Sequence, residues 1–325
     1  MFRRLTILIA LVFIAGSLRS QQLPIYSQYT MNRFLINPAV AGTDGYTTIS
    51  LTAREQWIGF KGTPKTHSIT FDSKLLQESY ILKNISIRKK KRKSARSGKV
   101  GIGGHIYNDH NGPIDRTGLE GTYAYHLELD KTLLSFGLTI NFFQMRLNTE
   151  KLVLSDQNQD DLISGGKQSL FIPDASIGVY ALREDYYAGI SAINVLKSSV
   201  QFGKNSMGDY RLNRQYNLMG GYRYKLNRDL MLEPSMLLKI PENIRAQLDI
   251  QVKLDIKREY WAGLGFRTGS ALTFFGGAKV DRYFIGYAFD YNLNRLMKFT
   301  YGSHEIMAAV KFGDTARRYK WLNSY

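Results

Sequence analysis

Apolar and polar residues alternate one by one over most of the chain between residues 44 and 312. In the clearest segment the apolar positions are Leu134, Phe136, Leu138, Ile140 and Phe142, and Ser135, Gly137, Thr139 and Asn141 lie between them. A period of two residues is that of a β-strand, whose successive side chains point to opposite faces. The pattern therefore predicts strands with one apolar and one polar face.

About 14 such segments occur, each close to the length with which a tilted strand crosses a bilayer. They are 44–54, 66–73, 99–107, 119–127, 134–142, 174–182, 186–194, 215–226, 230–239, 246–254, 259–267, 271–280, 282–291 and 303–312. Aromatic residues lie near strand ends, as Tyr283 and Tyr291 do, which is typical of the girdles of outer-membrane barrels. We therefore predict an all-β fold, a transmembrane antiparallel barrel over residues 44–312. A soluble β-sandwich, which also alternates, is the competing fold.

The links between segments predict an orientation. Every second link is short: 129–131, 183–185, 227–229, 256–258 and 280–282, whereas 147–172 and 195–214 are long. Outer-membrane barrels have short periplasmic turns and long extracellular loops. Because the strand number is even, we expect both termini in the periplasm, the C-terminal tail 313–325 included. The last strand ends in Phe312 and resembles the terminal strand that the barrel assembly machinery recognises.

The N-terminus predicts export from the cytoplasm. Arg3 and Arg4 precede the apolar run from Leu5 to Ala15, and small residues follow it. This is the pattern of a secretory signal peptide over residues 1–20, with cleavage after Ser17 or Ser20. Residues 21–43 then form a periplasmic or lumenal segment ahead of the first strand.

Composition excludes several kinds of function. The formal charge is +17, and much of the excess lies in the leader and in one cluster from Arg88 to Lys99. The remainder is only mildly basic, and the signal peptide takes the chain out of the cytoplasm, so nucleic acid is not an expected partner. The chain has 0 cysteines, which excludes disulfides, thiol catalysis and cysteine-ligated metals.

Candidate catalytic or metal motifs each fail on chemistry. Gly101 to Gly104 lie inside a predicted strand, without the following helix that a phosphate loop needs. Asp156 opens a calcium-like loop, but its sixth position is Asp161 and its twelfth is Lys167, where an EF-hand has Gly and Glu. The 5 histidines are scattered, and no Gly-x-Ser-x-Gly motif occurs. We expect no enzyme, no cofactor and no metal site.

Several motifs together resemble the PorP/SprF family of Bacteroidota outer-membrane proteins. In order they are Gln21 to Tyr29, Ile36-Asn37-Pro38-Ala39-Val40-Ala41-Gly42, Gln56 to Thr66, Asn108 to Pro113, Ile285 to Tyr291 and Gly302 to Ile306. The resemblance implies an outer-membrane component of the type IX secretion system, supporting export or surface attachment of a large adhesin and linked to gliding motility. Implied partners are outer-membrane lipid, other secretion components including periplasmic ring proteins, and cargo with a C-terminal sorting domain.

Two matching segments are the first candidate interaction sites. The candidates in the first are Asn37, Pro38 and Gly42, and in the second Trp57, Gly59, Phe60, Lys61, Gly62 and Pro64. The first segment precedes strand one and is expected to fill the lumen or to contact periplasmic machinery. The second is the first extracellular loop, where exposed aromatics are of the kind that anchor partners. A purely structural role, in turns and in the aromatic belt, is the alternative for both.

A basic insertion over residues 75–98 departs from the family, whose members run directly from the second strand into the third. Its core is Arg88, Lys89, Lys90, Lys91, Arg92 and Lys93. By strand parity it lies in the first periplasmic turn, where it would meet anionic headgroups or an acidic partner. The alternative is a solvated turn without a partner.

Two further functions fit the same sequence. A general diffusion porin is suggested by predicted inward residues of mixed charge, namely Glu120, Glu128, Arg223, Lys225, Glu233 and Lys253. A structural anchor for a surface adhesin is the other. A neighbouring gene for a giant adhesin would favour secretion or anchoring over the porin.

Overall fold

The computed structural model describes residues 24–60, 62–75, 99–147, 168–201 and 209–313. The strands are β1 Thr47–Glu55, β2 Lys65–Leu75, β3 Val100–Asn111, β4 Ile114–Leu129, β5 Thr132–Leu147, β6 Gln168–Leu182, β7 Tyr186–Ile193, β8 Ser199–Gln201, β9 Asp209–Arg211, β10 Gln215–Tyr222, β11 Tyr224–Lys225, β12 Leu230–Pro241, β13 Gln247–Ile256, β14 Tyr260–Arg267, β15 Ala271–Val280, β16 Tyr283–Asn292 and β17 Ser303–Phe312. Short 3-10 helices cover Arg33–Leu35, Pro38–Val40 and Arg295–Phe299. No helix among these residues is long and apolar enough to cross a membrane.

The strands form one closed antiparallel barrel. Each wall strand pairs with its neighbours in chain order, and β1 pairs with β17 from Thr47 opposite Phe312 to Glu55 opposite His304. On the far side β10 pairs with both β7 and β12. Since β10 and β11 are one wall strand interrupted at Arg223, the wall has 14 strands, as the sequence predicted. The strands β8 and β9 form a separate hairpin within the β7–β10 link.

The apolar faces point outward. Leu138, Ile140 and Phe142 of β5 are about half exposed, whereas Ser135 and Thr139 are buried on the inner face. The predicted strand phase is therefore confirmed for β5, and the other wall strands repeat it. An inverted pattern of this kind, apolar outside and polar inside, suits a wall whose solvent is lipid.

The links separate the two ends of the barrel. The loop end carries the links 56–64, 112–113, 148–167, 194–214, 242–246, 268–270 and 293–302, and the turn end carries 76–99, 130–131, 183–185, 226–229, 257–259 and 281–282. Asp130 and Asp281 open two-residue turns with φ of 53° and 56°. Aspartate tolerates this left-handed conformation because its short side chain bonds the local backbone.

The chain ahead of β1 does not stay at the turn end. Residues 24–46, which we call the lumenal segment, run through the barrel. Ile25 borders a loop-end cavity beside Thr268, while Asp44 at the other end pairs with Lys311 at 2.9 Å. Residue 24 and the end of β17 therefore lie at opposite ends of the barrel. The expectation that both chain ends lie in the periplasm concerns residues outside the described ranges and stays a prediction.

Candidate functional site

The lumenal segment is held at the loop end by a buried group of charges, which we call the ionic cluster: Arg54, Arg267, Asp290 and Glu305. Arg54 pairs with Asp290 at 2.6 Å and with Glu305 at 3.3 Å, and Arg267 pairs with Asp290 at 3.0 Å. All four side chains are at most 3% exposed. Such charges are stable in a buried site only when each is paired.

Ser27 joins the lumenal segment to the ionic cluster. Its backbone N–H donates to Glu305 Oε2 at 2.7 Å, and the N–H of Gln28 donates to Oε1 at 2.9 Å. The Ser27 hydroxyl donates to Asp290 and accepts from Arg54 Nη1 at 2.8 Å. The carboxylate of Glu305 thus replaces the hydrogen bonds to water that these two backbone N–H groups lose inside the lumen.

A second charged group binds the segment in the turn-side half of the barrel. Arg33 lies over the Tyr187 ring, 4.2 Å from its centroid, and donates to the Tyr180 hydroxyl at 3.0 Å. Tyr187 in turn donates to Glu233 at 3.1 Å, and Lys253 pairs with the same carboxylate at 3.2 Å. Arg33 therefore lies over the ring of Tyr187. The hydroxyl of that ring donates to the fully buried carboxylate of Glu233, and this makes the ring more attractive to a cation.

Asn37 fastens the segment to the backbone of the wall. Its side-chain amide donates to the carbonyl oxygens of Val179 and Ile190 at 3.0 and 3.2 Å. Its Oδ1 accepts from the backbone N–H of Ala39 at 2.9 Å, which makes Asn37 the N-cap of the helix that starts at Pro38. Asn37 is 1% exposed. The Asn37 side chain thus both caps the short helix and holds it against the wall.

Glycines on the inner wall make room for this contact. A Cβ on Gly178 would overlap Asn37 Oδ1, and one on Gly137 would overlap the backbone of Pro38 and Ala39. At the turn end Gly42 has φ of 71°, and a Cβ there would lie 2.7 Å from the carbonyl oxygen of Ser73. The segment and the wall therefore fit at backbone distance.

The candidate residues of the first family segment are thus enclosed. Asn37 and Pro38 are buried in the lumen, and Gly42 lies against β2, with its N–H donating to Asp72 at 3.0 Å. In this arrangement none of the three is on the outer surface of the barrel. Their sequence-based role as a contact for periplasmic machinery stays a prediction, and it requires the segment to move.

The candidate residues of the second segment lie in the β1–β2 link at the loop end. Gln56 N–H bonds Pro64 O at 2.9 Å and closes the link, while Ile58 N–H bonds Gly302 O at 2.9 Å and ties it to the β16–β17 link. Phe60 is 41% exposed. Gly59 and Gly62 both have positive φ. Lys61 lies outside the described residues.

Trp57 has an uncommon backbone conformation, with φ of 54°. Its N–H donates to Ser303 Oγ at 3.2 Å, and its side chain borders an open loop-end cavity of about 440 Å³. A bulky residue with positive φ is strained, and the surrounding hydrogen bonds must hold it there. Trp57 thus lines the cavity and is partly covered, so it is less available to a partner than Phe60.

Other predictions lie outside the described residues. These are the signal peptide over 1–20, the basic residues Arg88 to Lys93, the calcium-like loop from Asp156 and the tail beyond residue 313. Among the residues that the structure describes, no group of three His, Asp or Glu side chains is placed to hold a metal ion.

Sequence reasoning missed the ionic cluster. It singled out inward charges such as Glu233 and Lys253, which the structure does pair, but passed over Arg54, Asp290 and Glu305. The signal was present, because each of these three continues the polar face of its strand. Which of them meet across the lumen depends on closure of the barrel.

Comparison with known protein families shows to which family the chain belongs. The model of the family described as type IX secretion system membrane protein PorP/SprF matches residues 18–310. The chain belongs to this family. PorP/SprF proteins are outer-membrane components of secretion rather than a family of enzymes. No curated protein matches the chain.

Solved structures similar to the chain include a transporter and an outer membrane protein. The toluene transporter TbuX of Ralstonia pickettii is 11% identical, with a TM-score of 0.50 over 91% of this chain and 96% of that one. The Acinetobacter baumannii outer membrane protein Omp33 is 8% identical, with a TM-score of 0.41 over 83% of this chain and 100% of that one. At such identities TbuX shows only that this PorP/SprF chain has an outer-membrane barrel fold.

Proposed function

We propose that this PorP/SprF barrel is a non-catalytic accessory of type IX secretion that supports the export or surface attachment of a large adhesin, and through it gliding motility. The family match over residues 18–310 is the observation that carries the proposal. The buried lumenal segment adds to it, because a barrel that is filled by its own chain acts through its surfaces rather than through an open channel.

A general diffusion porin is less well supported. Porins keep a polar, water-filled lumen. Here inward side chains are largely engaged with the lumenal segment or with one another, as Glu305 is with Ser27 and Glu233 with Lys253. Free diffusion would require the segment to leave, and its hydrogen bonds to the buried carboxylates of Glu305 and Asp290 oppose that.

The two ends would serve different partners. With short turns facing the periplasm, the loop end is at the cell surface, where Phe60 and the long links 148–167 and 194–214 are available to cargo. The turn end would face the periplasmic ring proteins, and the basic residues Arg88 to Lys93 belong to its link 76–99. Their charge would attract an acidic partner or the anionic inner leaflet.

Deletion of the gene tests the proposal. A specific large surface protein should disappear from the cell exterior, while uptake of small solutes stays near normal. Surface proteomics and a solute-permeability assay on the same strain give both readouts, and complementation with the wild-type gene is the control. An unchanged surface proteome with reduced permeability would favour the porin instead.

A further inference from the structure

The β1–β2 link (residues 56–64) and the β16–β17 link (residues 293–302) lie side by side at the loop end, and we call them the paired links. They meet because β1 pairs with β17 where the barrel closes. The Ile58 N–H donates to Gly302 O at 2.9 Å, and the Tyr301 N–H donates to Ile58 O at 2.8 Å. These hydrogen bonds join the links beyond the ends of the strands. The paired links therefore form one surface rather than two separate loops.

The paired links also pack at backbone distance. A Cβ on Gly59 would lie 3.2 Å from Phe299 O and 3.4 Å from the Tyr301 ring. Gly59 has φ of 118°, a conformation that favours glycine. The backbone under Phe299 and Tyr301 is thus held in place before a partner arrives. A surface that is ordered in advance loses less conformational entropy on binding.

Large apolar side chains are exposed on this surface. Tyr301 is 79% exposed, Phe299 68%, Met297 43% and Phe60 41%. They are close to one another, because Phe60 directly follows Gly59, which packs against Phe299 and Tyr301. Clusters of exposed apolar side chains mark interaction sites, and aromatic residues often contribute most of the energy of a protein contact.

The lipid-facing wall does not account for these side chains. The last pair of the β16–β17 ladder is Asp290 with Ser303, and the last pair of the β1–β17 ladder at this end is Glu55 with His304. Residues 297–301 belong to neither ladder and lie beyond both at the loop end. The apolar band that meets lipid is carried by the strands themselves. A protein partner therefore explains the exposed rings better than lipid does.

The paired links are basic. They contain Lys61, Arg295 and Lys298, and neither link has an aspartate or a glutamate. Lys298 is exposed between Met297 and Phe299. Such a surface attracts carboxylates and repels another basic surface. The complementary partner is therefore acidic, with apolar side chains at the centre of its contact surface.

We propose that the paired links bind an acidic surface of the large exported protein, with the rings of Phe299 and Tyr301 buried in the contact and Lys298 next to its carboxylates. This inference rests on the proposed function, because it takes the exported protein as the partner and the loop end as the side that faces out. It adds which surface makes the contact and what chemistry the partner presents there.

Photo-crosslinking in living cells tests where the contact lies. Tyr301→p-benzoylphenylalanine should form an adduct with the same surface protein that deletion of the gene removes. Phe171→p-benzoylphenylalanine is the matched control, because Phe171 is 80% exposed on β6, on the far side of the barrel from β17, and it should form no such adduct. An adduct with lipopolysaccharide alone, adducts with the protein from both positions, or no adduct would overturn the inference.

Binding affinities test the apolar and the charged part of the contact separately. The purified full-length barrel, in an uncharged detergent, is titrated with the surface protein that the crosslinking identifies. Phe299→Ser should weaken binding about tenfold or more, as loss of an aromatic hot spot does. Lys298→Glu should weaken binding strongly at low salt and less at high salt, because salt screens exposed charges. Lys298→Arg keeps the charge and should bind like wild type.

These measurements separate the inference from the proposed function. If deletion removes no surface protein, the proposed function fails and the inference fails with it. If deletion removes one but Phe299→Ser and Lys298→Glu bind it as wild type does, the proposed function stands and the paired links are not the docking surface. Both side chains are exposed, so both variants should fold, and β-sheet circular dichroism checks this.

Discussion

Asp290 joins the wall residues of the ionic cluster to Ser27 of the lumenal segment. It accepts hydrogen bonds from Arg54, Arg267, Thr273 and Ser27 at 2.6 to 3.0 Å. Removing one partner of a buried ion pair leaves a charge that neither water nor protein neutralises. The stability of the loop-side half of the lumen therefore depends on this one carboxylate.

Asp290→Asn should destabilise the folded barrel by about 3 kcal/mol, because Arg54 and Arg267 lose half of their negative partners. Thermal unfolding in detergent, followed by circular dichroism, measures the loss. Solute flux into liposomes should rise as the segment loosens. The control is Asp281→Asn, whose side chain is 74% exposed in a turn. If both variants unfold at the same temperature, the ionic cluster does not hold the segment.

Gly178 tests the close fit between the segment and the wall. Gly178→Ala places a Cβ on Asn37 Oδ1 and 3.1 Å from Pro38 Cδ, so we expect a loss of about 1–3 kcal/mol from overpacking. Gly121→Ala is the matched control, since nothing lies within 4 Å of a Cβ there. Urea unfolding of the two variants compares them. An equal, small effect would mean that Asn37 shifts without cost.

At the scale of the element, the two faces of each wall strand are under different constraints. The outward face is mainly apolar, with polar exceptions such as His67 and Asn108, whereas the inward face mixes serine, glycine, threonine and charged residues. The outward face is constrained only by lipid, so any apolar residue serves. The inward face must match a particular part of the lumenal segment, so its residues differ from strand to strand.

Ile140→Arg tests the strand phase. Ile140 lies near the middle of β5 and is 51% exposed on the outer face, so an arginine there should cost about 2–4 kcal/mol at mid-bilayer. Gln247→Arg should be tolerated, because Gln247 borders the loop-end cavity of about 440 Å³. Refolding yields into lipid vesicles measure the difference. Equal defects would contradict the assigned faces.

For the whole molecule, the passage of the chain through the lumen has a topological consequence. An epitope inserted before Pro24 should lie on the same side of the membrane as an epitope inserted at residues 158–166, and an epitope after Tyr325 should lie on the opposite side. Antibody labelling of intact and of permeabilised cells checks this. With the loop end outside, the first two epitopes are labelled on intact cells. Labelling of the N-terminal and C-terminal epitopes on the same side would contradict the path of the lumenal segment.

The sequence by itself determined which segments form the wall of the barrel and which of their faces point outward. The period of two residues is a local property, and lipid demands the same apolar face from every strand, so the segments around Ile140 and Ile250 could be read without knowing their neighbours. The short turns followed from the gaps between segments. Family membership followed from motifs such as Ile36 to Gly42, which are also local.

Only the tertiary structure decided what fills the barrel. Ser27 and Glu305 are 278 residues apart, and Arg54 and Asp290 are 236 apart. Each of these residues fits the polar face of its own strand or the segment before β1, and nothing local says which ones meet. Their pairing depends on closure between β1 and β17 and on the passage of residues 24–46 through the lumen, because a closed wall brings the two ends of the chain to the same ionic cluster.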